Sequence, residues 1–95
     1  MTSWQLQFRL HAVQRMYQRQ ITPQDIRAVI EQDTVIEEYP EDTPYPSCLM
    51  LGHVRGRPLH VVIAKDMAHQ QAVIVTVYEP DPLLWEPDFR RRKTP

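Results

Sequence analysis

Apolar residues recur at a helical spacing in the first part of the chain. Between residues 8 and 19, four apolar residues follow spacings of three and four: Leu10, Val13, Met16 and Tyr17. Side chains at this spacing share one face of a helix. The pattern therefore predicts a first helix over 8–19 with one apolar stripe.

A second helix is predicted to begin after Thr22. Thr22 is a favourable N-cap, Pro23 suits the first helical position, and Asp25 complements the positive end of the helix dipole. The apolar face of this helix follows directly: Ile26, Val29 and Ile30. Only two or three residues link the two helices, so we expect them to pack as a hairpin.

Beyond Asp33 the pattern changes from helical to extended. Four stretches are rich in β-branched or apolar residues and are predicted as strands: 34–39, 48–54, 57–64 and 72–79. The chain is thus predicted to form a single α+β domain over residues 1–95. Its N-terminal helical hairpin packs on a four-stranded, mainly antiparallel, curved sheet, followed by a short C-terminal helix and a frayed tail at 90–95.

The turn between the second and third predicted strands decides which side chains share a face. A two-residue turn at Arg55-Gly56 pairs His60 with Leu51, and alternation then puts His53 and His60 on one face. The other face is more uniformly apolar: Cys48, Met50, Leu59, Val61 and Ile63. We expect the apolar face to meet the helices, which leaves His60 in a cleft on the face away from them.

The composition excludes several classes of protein. The chain lacks an apolar run long enough to span a membrane and lacks the basic-then-apolar pattern of a signal peptide. A lone cysteine, Cys48, fits a reducing cytoplasm. The four histidines show no ligand spacing, and Gly52 and Gly56 are the only glycines. No metal, cofactor or phosphate-binding loop is therefore expected.

The formal net charge of −1 hides a segregated distribution. Residues 1–30 carry four arginines against one aspartate, residues 31–42 hold six acidic residues and no basic one, and residues 90–93 are all basic. Nine of the eleven basic residues are arginine, the side chain suited to bidentate contacts with phosphate or carboxylate. This pattern indicates an anionic ligand or an oppositely charged partner.

Histidine and arginine are the candidate chemical groups. His11, Arg15 and Arg19 are spaced by four and line up along the first helix, beside its apolar stripe. One interpretation is a solvated helix face together with a satisfied histidine at position 60. The other is RNA cleavage without a metal ion, in which histidine transfers protons and arginine stabilises charge on the phosphoryl oxygens.

Several blocks of the sequence resemble a known family. Five segments are similar to those of a small bacterial family of domains of unknown function: "HAVQRM", "ITPQDI", "EEYPEDTPYPSCLMLG", "GRPLHVV" and "VIVTVYEPDPLLWEPDFRRR". Members of that family resemble the RelE, BrnT and MqsR type of toxin, the ribonuclease half of type II toxin–antitoxin pairs. The resemblance extends from about His11 to Arg92 and implies a RelE-like fold.

The resemblance also implies an activity and partners. The activity is that of a metal-independent endoribonuclease of the mRNA interferase type, and the partners are RNA and a small antitoxin protein, of which the zinc-finger type is one form. Five positions are its implied catalytic residues: His60, His11, Arg15, Arg57 and Tyr78. Three more are expected to bind RNA phosphates: Arg19, Arg90 and Arg91. The chain is expected to be a monomer or homodimer.

Two other functions stay open. The segregated charge also fits a non-catalytic module or regulator of the same fold that holds a protein partner. The polar residues can equally be structural in a domain that has no catalytic site.

Overall fold

The computed structural model describes residues 4–94. Seven elements follow one another along the chain: β1 (Gln5–Phe8), α1 (Leu10–Arg19), α2 (Pro23–Gln32), β2 (Val35–Tyr39), β3 (Ser47–Val54), β4 (Arg57–Asp66) and β5 (Gln71–Tyr78). The strands form one five-stranded sheet in the order β1-β5-β4-β3-β2. Strands β2 to β5 are antiparallel to their neighbours, whereas β1 is parallel to β5, so the sheet is mixed.

This architecture corrects the predicted fold class. The molecule is mainly β with two short helices, and the predicted N-terminal helical hairpin on a four-stranded sheet is wrong. The difference arises at β1, where Leu6 and Phe8 pack against the core while Gln5 and Gln7 are exposed. Such alternation is the pattern of a half-buried strand, and β1 uses it to add a fifth strand beside β5.

The position of β1 also explains why the helices do not pair. β1 lies at one edge of the sheet and β2 at the other, so α1 and α2 must carry the chain across the sheet between the two edges. Accordingly α1 packs on β5 and α2 packs on β3. Both helices lie on the same face, because their buried residues join one core cluster with β3, β4 and β5.

The beginning of α2 follows the sequence prediction. The Asp25 backbone N–H donates to the Thr22 hydroxyl at 3.1 Å, and the Thr22 N–H donates to the Asp25 carboxylate at 3.0 Å. This reciprocal pair is a capping box, with Pro23 at the start of the helix. Arg55 donates two further hydrogen bonds to Asp25, which ties α2 to the β3–β4 turn.

The predicted pairing of β3 with β4 is confirmed. His60 pairs with Leu51 and His53 with Pro58, around a turn in which Arg55 and Gly56 both have positive φ. The face predicted to meet the helices does so, since five of its residues lie in the core cluster: Cys48, Met50, Leu59, Val61 and Ile63. The opposite side of the sheet, which carries His60, Val62 and Ala64 on β4, is called the outer face below.

Neither helix among residues 4–94 reaches membrane-spanning length. Each has ten residues, about half of the roughly 20 needed to cross the apolar core of a bilayer.

Candidate functional site

The outer face of the sheet carries a groove of about 400 Å³ beside the start of α1. The groove is apolar at its floor and polar at its rim. Its floor is formed by Val62, Ala64 and Val75 from β4 and β5. Its rim comes from the residues before and within α1 and from the loop ahead of β3: Arg9, His11, Asp42, Thr43, Pro44, Tyr45 and Ser47.

An irregularity in β5 brings His11 to this groove. The β4–β5 register shifts between Val62 and Ile63, which leaves Val75 as an extra residue in β5. A residue inserted in this way bends the strand and redirects its side chain, and Val75 accordingly lines the groove. β1 ends just beside this irregularity, where the Arg9 N–H donates to the Ile74 carbonyl at 3.0 Å. Arg9 and His11 therefore begin α1 at the groove rim.

Hydrogen bonds fix the opposite rim. The Ser47 hydroxyl donates to the Asp42 carboxylate at 2.5 Å. Tyr45 and His69 both hydrogen-bond to Asp66, whose side chain is buried at the end of β4. Burial raises the pKa of Asp66, but the hydrogen bonds from His69 and Tyr45 outweigh it, so the pKa lies below its ordinary value. The half-buried Tyr45 ring is thereby held at the groove.

His60 lies on the outer face, as predicted, but is fully buried. Its Nε2 lies 2.8 Å from the Phe89 carbonyl and its Nδ1 lies 3.2 Å from the Tyr78 hydroxyl. A carbonyl can only accept, so Nε2 carries the proton and Nδ1 accepts from Tyr78. Burial is the main cause that lowers the pKa of His60, which favours the neutral ring.

The burial of His60 is due to residues 80–94, called the C-terminal loop here. The Trp85 ring meets the His60 ring edge-on with 4.4 Å between centroids, and Arg92 lies 4.6 Å above the Trp85 ring. Trp85 and Arg92 form an antiparallel bridge, and the Lys93 N–H donates to the Leu84 carbonyl at 2.9 Å. The loop is thus folded back on itself across the outer face.

Tyr78 contacts His60, and Glu37 and Tyr39 lie further across the same face. The Tyr39 hydroxyl donates to Glu37 at 2.5 Å, and burial together with that carboxylate raises the pKa of Tyr39 to about 12. Burial also raises the pKa of Tyr78. Glu37 and Arg92 both act electrostatically on His60, Tyr39 and Tyr78. These residues form a second polar cluster on the outer face, distinct from the groove.

The structure therefore separates the predicted catalytic residues. His11 lines the groove, whereas His60 and Tyr78 lie under or beside the C-terminal loop. Arg57 pairs with Glu79 at 2.5 Å and donates to the Arg19 and Gln20 carbonyls at the end of α1. Such contacts satisfy the free carbonyls of a helix C-terminus, which is a structural role.

The remaining predicted arginines are exposed. Arg15 and Arg19 lie along α1, with Arg15 one turn beyond His11, and neither lines the groove. Arg90 and Arg91 lie on the C-terminal loop, where Arg91 is 3.9 Å from Asp88. Their side chains are available to an anionic ligand, but they do not converge with His11 on one cavity.

Sequence reasoning missed Arg9, Asp42 and Tyr45 at the groove. Arg9 precedes the predicted stripe of α1 by one residue, and Tyr45 lies in a proline-rich loop without periodicity. The sequence could have predicted that Glu37 and Tyr39 lie side by side, because both belong to a predicted strand and residues two apart on a strand share a face. Within residues 4–94 no group of three or more His, Cys, Asp or Glu side chains is arranged to hold a metal ion.

Comparison with known proteins identifies the family but not the activity. The sequence profile of the domain of unknown function DUF4258 matches residues 8–79, which is most of the chain. No curated protein and no solved structure matches the chain. The match includes the groove floor, His11, His60 and Tyr78, and it ends one residue before the C-terminal loop. On this evidence the chain belongs to the DUF4258 family.

Proposed function

We propose that this protein binds RNA in the groove of the outer face and cleaves it without a metal ion, as a toxin-type endoribonuclease. The observation that carries the proposal is that His11 and Arg9 lie on the rim of one groove with an apolar floor. An imidazole can transfer protons near neutral pH, and a guanidinium can hold phosphoryl oxygens with two hydrogen bonds. The resemblance to the toxin families supports the same reaction.

The reaction assigns a role to each group. The RNA 2′-oxygen attacks the adjacent phosphorus as its proton leaves, and the bond to the 5′-oxygen breaks as that oxygen takes up a proton. His11 serves one of these two proton transfers, and Arg9 stabilises the extra negative charge on the phosphorus-bound oxygens. The Tyr45 ring, which lines the groove, provides a flat surface on which an unpaired RNA base can stack.

The experiment is RNA cleavage by the purified chain in the presence of EDTA. We expect His11→Ala and Arg9→Ala each to reduce the rate at least about 100-fold, the usual contribution of one acid–base or charge-stabilising group. His53→Ala is the matched control, because His53 is exposed on β3 and does not line the groove. Equal rates for wild type and His11→Ala would refute this assignment.

A second candidate function, binding of a protein partner, is favoured by α1. This helix exposes an apolar stripe to solvent: Leu10 (73% exposed), Val13 (47%) and Tyr17 (88%). Exposed apolar patches on small domains often mark protein interfaces. For a toxin-type protein the expected partner is a small antitoxin, and relief of growth arrest by the product of the neighbouring gene tests it. Loss of that relief in Tyr17→Asp would assign the stripe to the interface, and unchanged relief would exclude it.

A further inference from the structure

The C-terminal loop occupies a site on the outer face in the manner of a bound ligand. Trp85 is only 3% exposed and stands edge-on to His60, and the Phe89 carbonyl accepts the His60 Nε2–H. Arg92 completes the contact from above the Trp85 ring. A ring, an acceptor oxygen and a cation are thus all supplied to the outer face by the loop.

The loop is separable from the fold that it covers. The core cluster contains residues from the helices and from β3, β4 and β5, and within the described range none from residues 80–94. The DUF4258 match ends at Glu79, immediately before the loop. Trp85 is itself buried, but on the outer face, away from the cluster that joins the helices to the sheet.

The surface beneath the loop holds pre-arranged polar groups beside the buried Leu51, which pairs with His60. The Tyr78 hydroxyl holds the His60 ring in the orientation that points Nε2–H outwards, and Glu37 is held by Tyr39. With the loop in place these buried side-chain atoms are all hydrogen-bonded. With the loop removed, the His60 Nε2–H would face water, and an acceptor oxygen of a ligand could take the place of the Phe89 carbonyl.

The covered surface also lies next to the groove on the same face. His60 and Val62 are two residues apart on β4 and share the outer face, a separation of roughly 7 Å along a strand. Val62 forms part of the groove floor. A single-stranded nucleic acid spans such a distance from one nucleotide to the next, so one strand can occupy both.

We propose that the C-terminal loop is an autoinhibitory cover over a nucleotide subsite, in which a base takes the place of the Trp85 ring and a sugar or phosphate oxygen accepts the His60 Nε2–H. This inference rests on the proposed function, since it extends the RNA site of the groove by one nucleotide. In the closed state the loop withholds His60 and Tyr78 from RNA. In the open state both face the ligand.

The first test measures opening without RNA. Diethyl pyrocarbonate modifies accessible histidines, and peptide mass spectrometry reports His60 separately from the exposed His11, His53 and His69, which are internal references. We expect Trp85→Ala to raise the His60 rate by at least about tenfold, since it removes both an aromatic contact and a buried side chain that covers His60. Arg92→Ala, the milder variant, should raise it less. Leu84→Ala is the control, because Leu84 is 58% exposed in the same loop.

The second test measures RNA affinity at fixed salt with a labelled 2′-O-methyl oligonucleotide, which cannot be cleaved. If opening exposes the subsite, the affinity gain of Trp85→Ala should equal its gain in His60 reactivity, because apparent affinity scales with the competent fraction. Adding His60→Ala, which removes the donor, should abolish the gain.

The outcomes separate this inference from the proposed function. An unreactive His60 in Trp85→Ala, or greater reactivity without greater affinity, would overturn the cover. Absence of RNA cleavage by the opened variant Trp85→Ala, with both tests positive, would instead leave the cover standing and refute the nuclease assignment.

Discussion

Gly52 in β3 lies directly against Val29 in α2. A Cβ at Gly52 would lie 2.8 Å from the Val29 Cγ2 and 2.9 Å from the Val29 Cα. The second distance involves backbone, so no side-chain rotation can relieve it. We predict that Gly52→Ala lowers the free energy of unfolding by about 1–3 kcal/mol, the usual range for overpacking, as measured by urea denaturation.

The neighbouring His53 provides the control for this prediction. Its side chain is exposed, and its backbone N–H and carbonyl pair with the Gln32 side chain in any variant. His53→Ala should therefore change the free energy of unfolding by no more than about 0.5 kcal/mol. A Gly52→Ala variant as stable as wild type would show that α2 can move away from β3 without loss.

Asp25 joins the start of α2 to the β3–β4 turn. Its carboxylate accepts from Arg55 at 2.7 and 3.0 Å and from the Thr22 N–H, and the hydrogen bond from Arg55 is the main cause that lowers its pKa. We predict that Asp25→Ala lowers the free energy of unfolding by about 2 kcal/mol, because the capping box and a buried acceptor are both lost. Glu31→Ala, an exposed acidic residue at the other end of α2, is the comparison and should have little effect.

Neutral His60 makes stability depend on pH. Its pKa is lowered by burial from the ordinary value of 6.5, so the unfolded chain binds this proton more readily than the folded chain. The contribution of neutral His60 to the free energy of unfolding is complete above pH 6.5. It is lost as the pH falls from 6.5 towards the lower pKa that His60 has in the folded chain. We predict that between pH 6.5 and 5.5 the free energy of unfolding falls with a slope of at most about 1.4 kcal/mol per pH unit.

The His60→Gln variant isolates this effect. Glutamine can donate to the Phe89 carbonyl but does not titrate, so the variant should lose the His60 part of the slope between pH 6.5 and 5.5. The three exposed histidines remain in both proteins. An identical slope in wild type and His60→Gln would mean that other groups determine stability in this range.

The parts of the fold that local rules determine were predictable. The Thr22 cap and the β3–β4 register each depend on a few neighbouring residues, and Arg55-Gly56 takes the positive φ values of a two-residue hairpin turn. β1 was missed because it has only four residues, two of them glutamines, and so short an alternation is a weak signal for a strand. Its pairing with β5 joins Gln5 to Gln71, a contact that no local pattern contains.

The site was only partly predictable for the same reason. Alternation placed His60 on the outer face, but its burial depends on Trp85 and Phe89, which are 25 and 29 residues further along the chain. Helical spacing aligned His11 with Arg15, but the irregularity at Val75 determines that only His11 reaches the groove. Periodicity predicts which face a side chain occupies, whereas long-range packing determines what covers that face.

The apolar stripe of α1 shows this limit most clearly and yields the last prediction. Helical spacing grouped Met16 with Tyr17, yet Met16 is 8% exposed and Tyr17 is 88% exposed. α1 turns Ala12 and Met16 to the sheet because β1 determines the direction from which the chain enters the helix. We predict that Met16→Ala lowers the free energy of unfolding by about 2–4 kcal/mol, as loss of a buried side chain does.

Tyr17→Ala is the matched variant on the same helix. It removes a larger side chain, but one that lies in solvent, so the free energy of unfolding should change by less than about 0.5 kcal/mol. Chemical denaturation of both variants at one pH measures the difference. The reverse order of effects would mean that α1 is rotated about its axis, with Leu10, Val13 and Tyr17 against the sheet. That rotation would also remove the exposed stripe on which the partner-binding proposal depends.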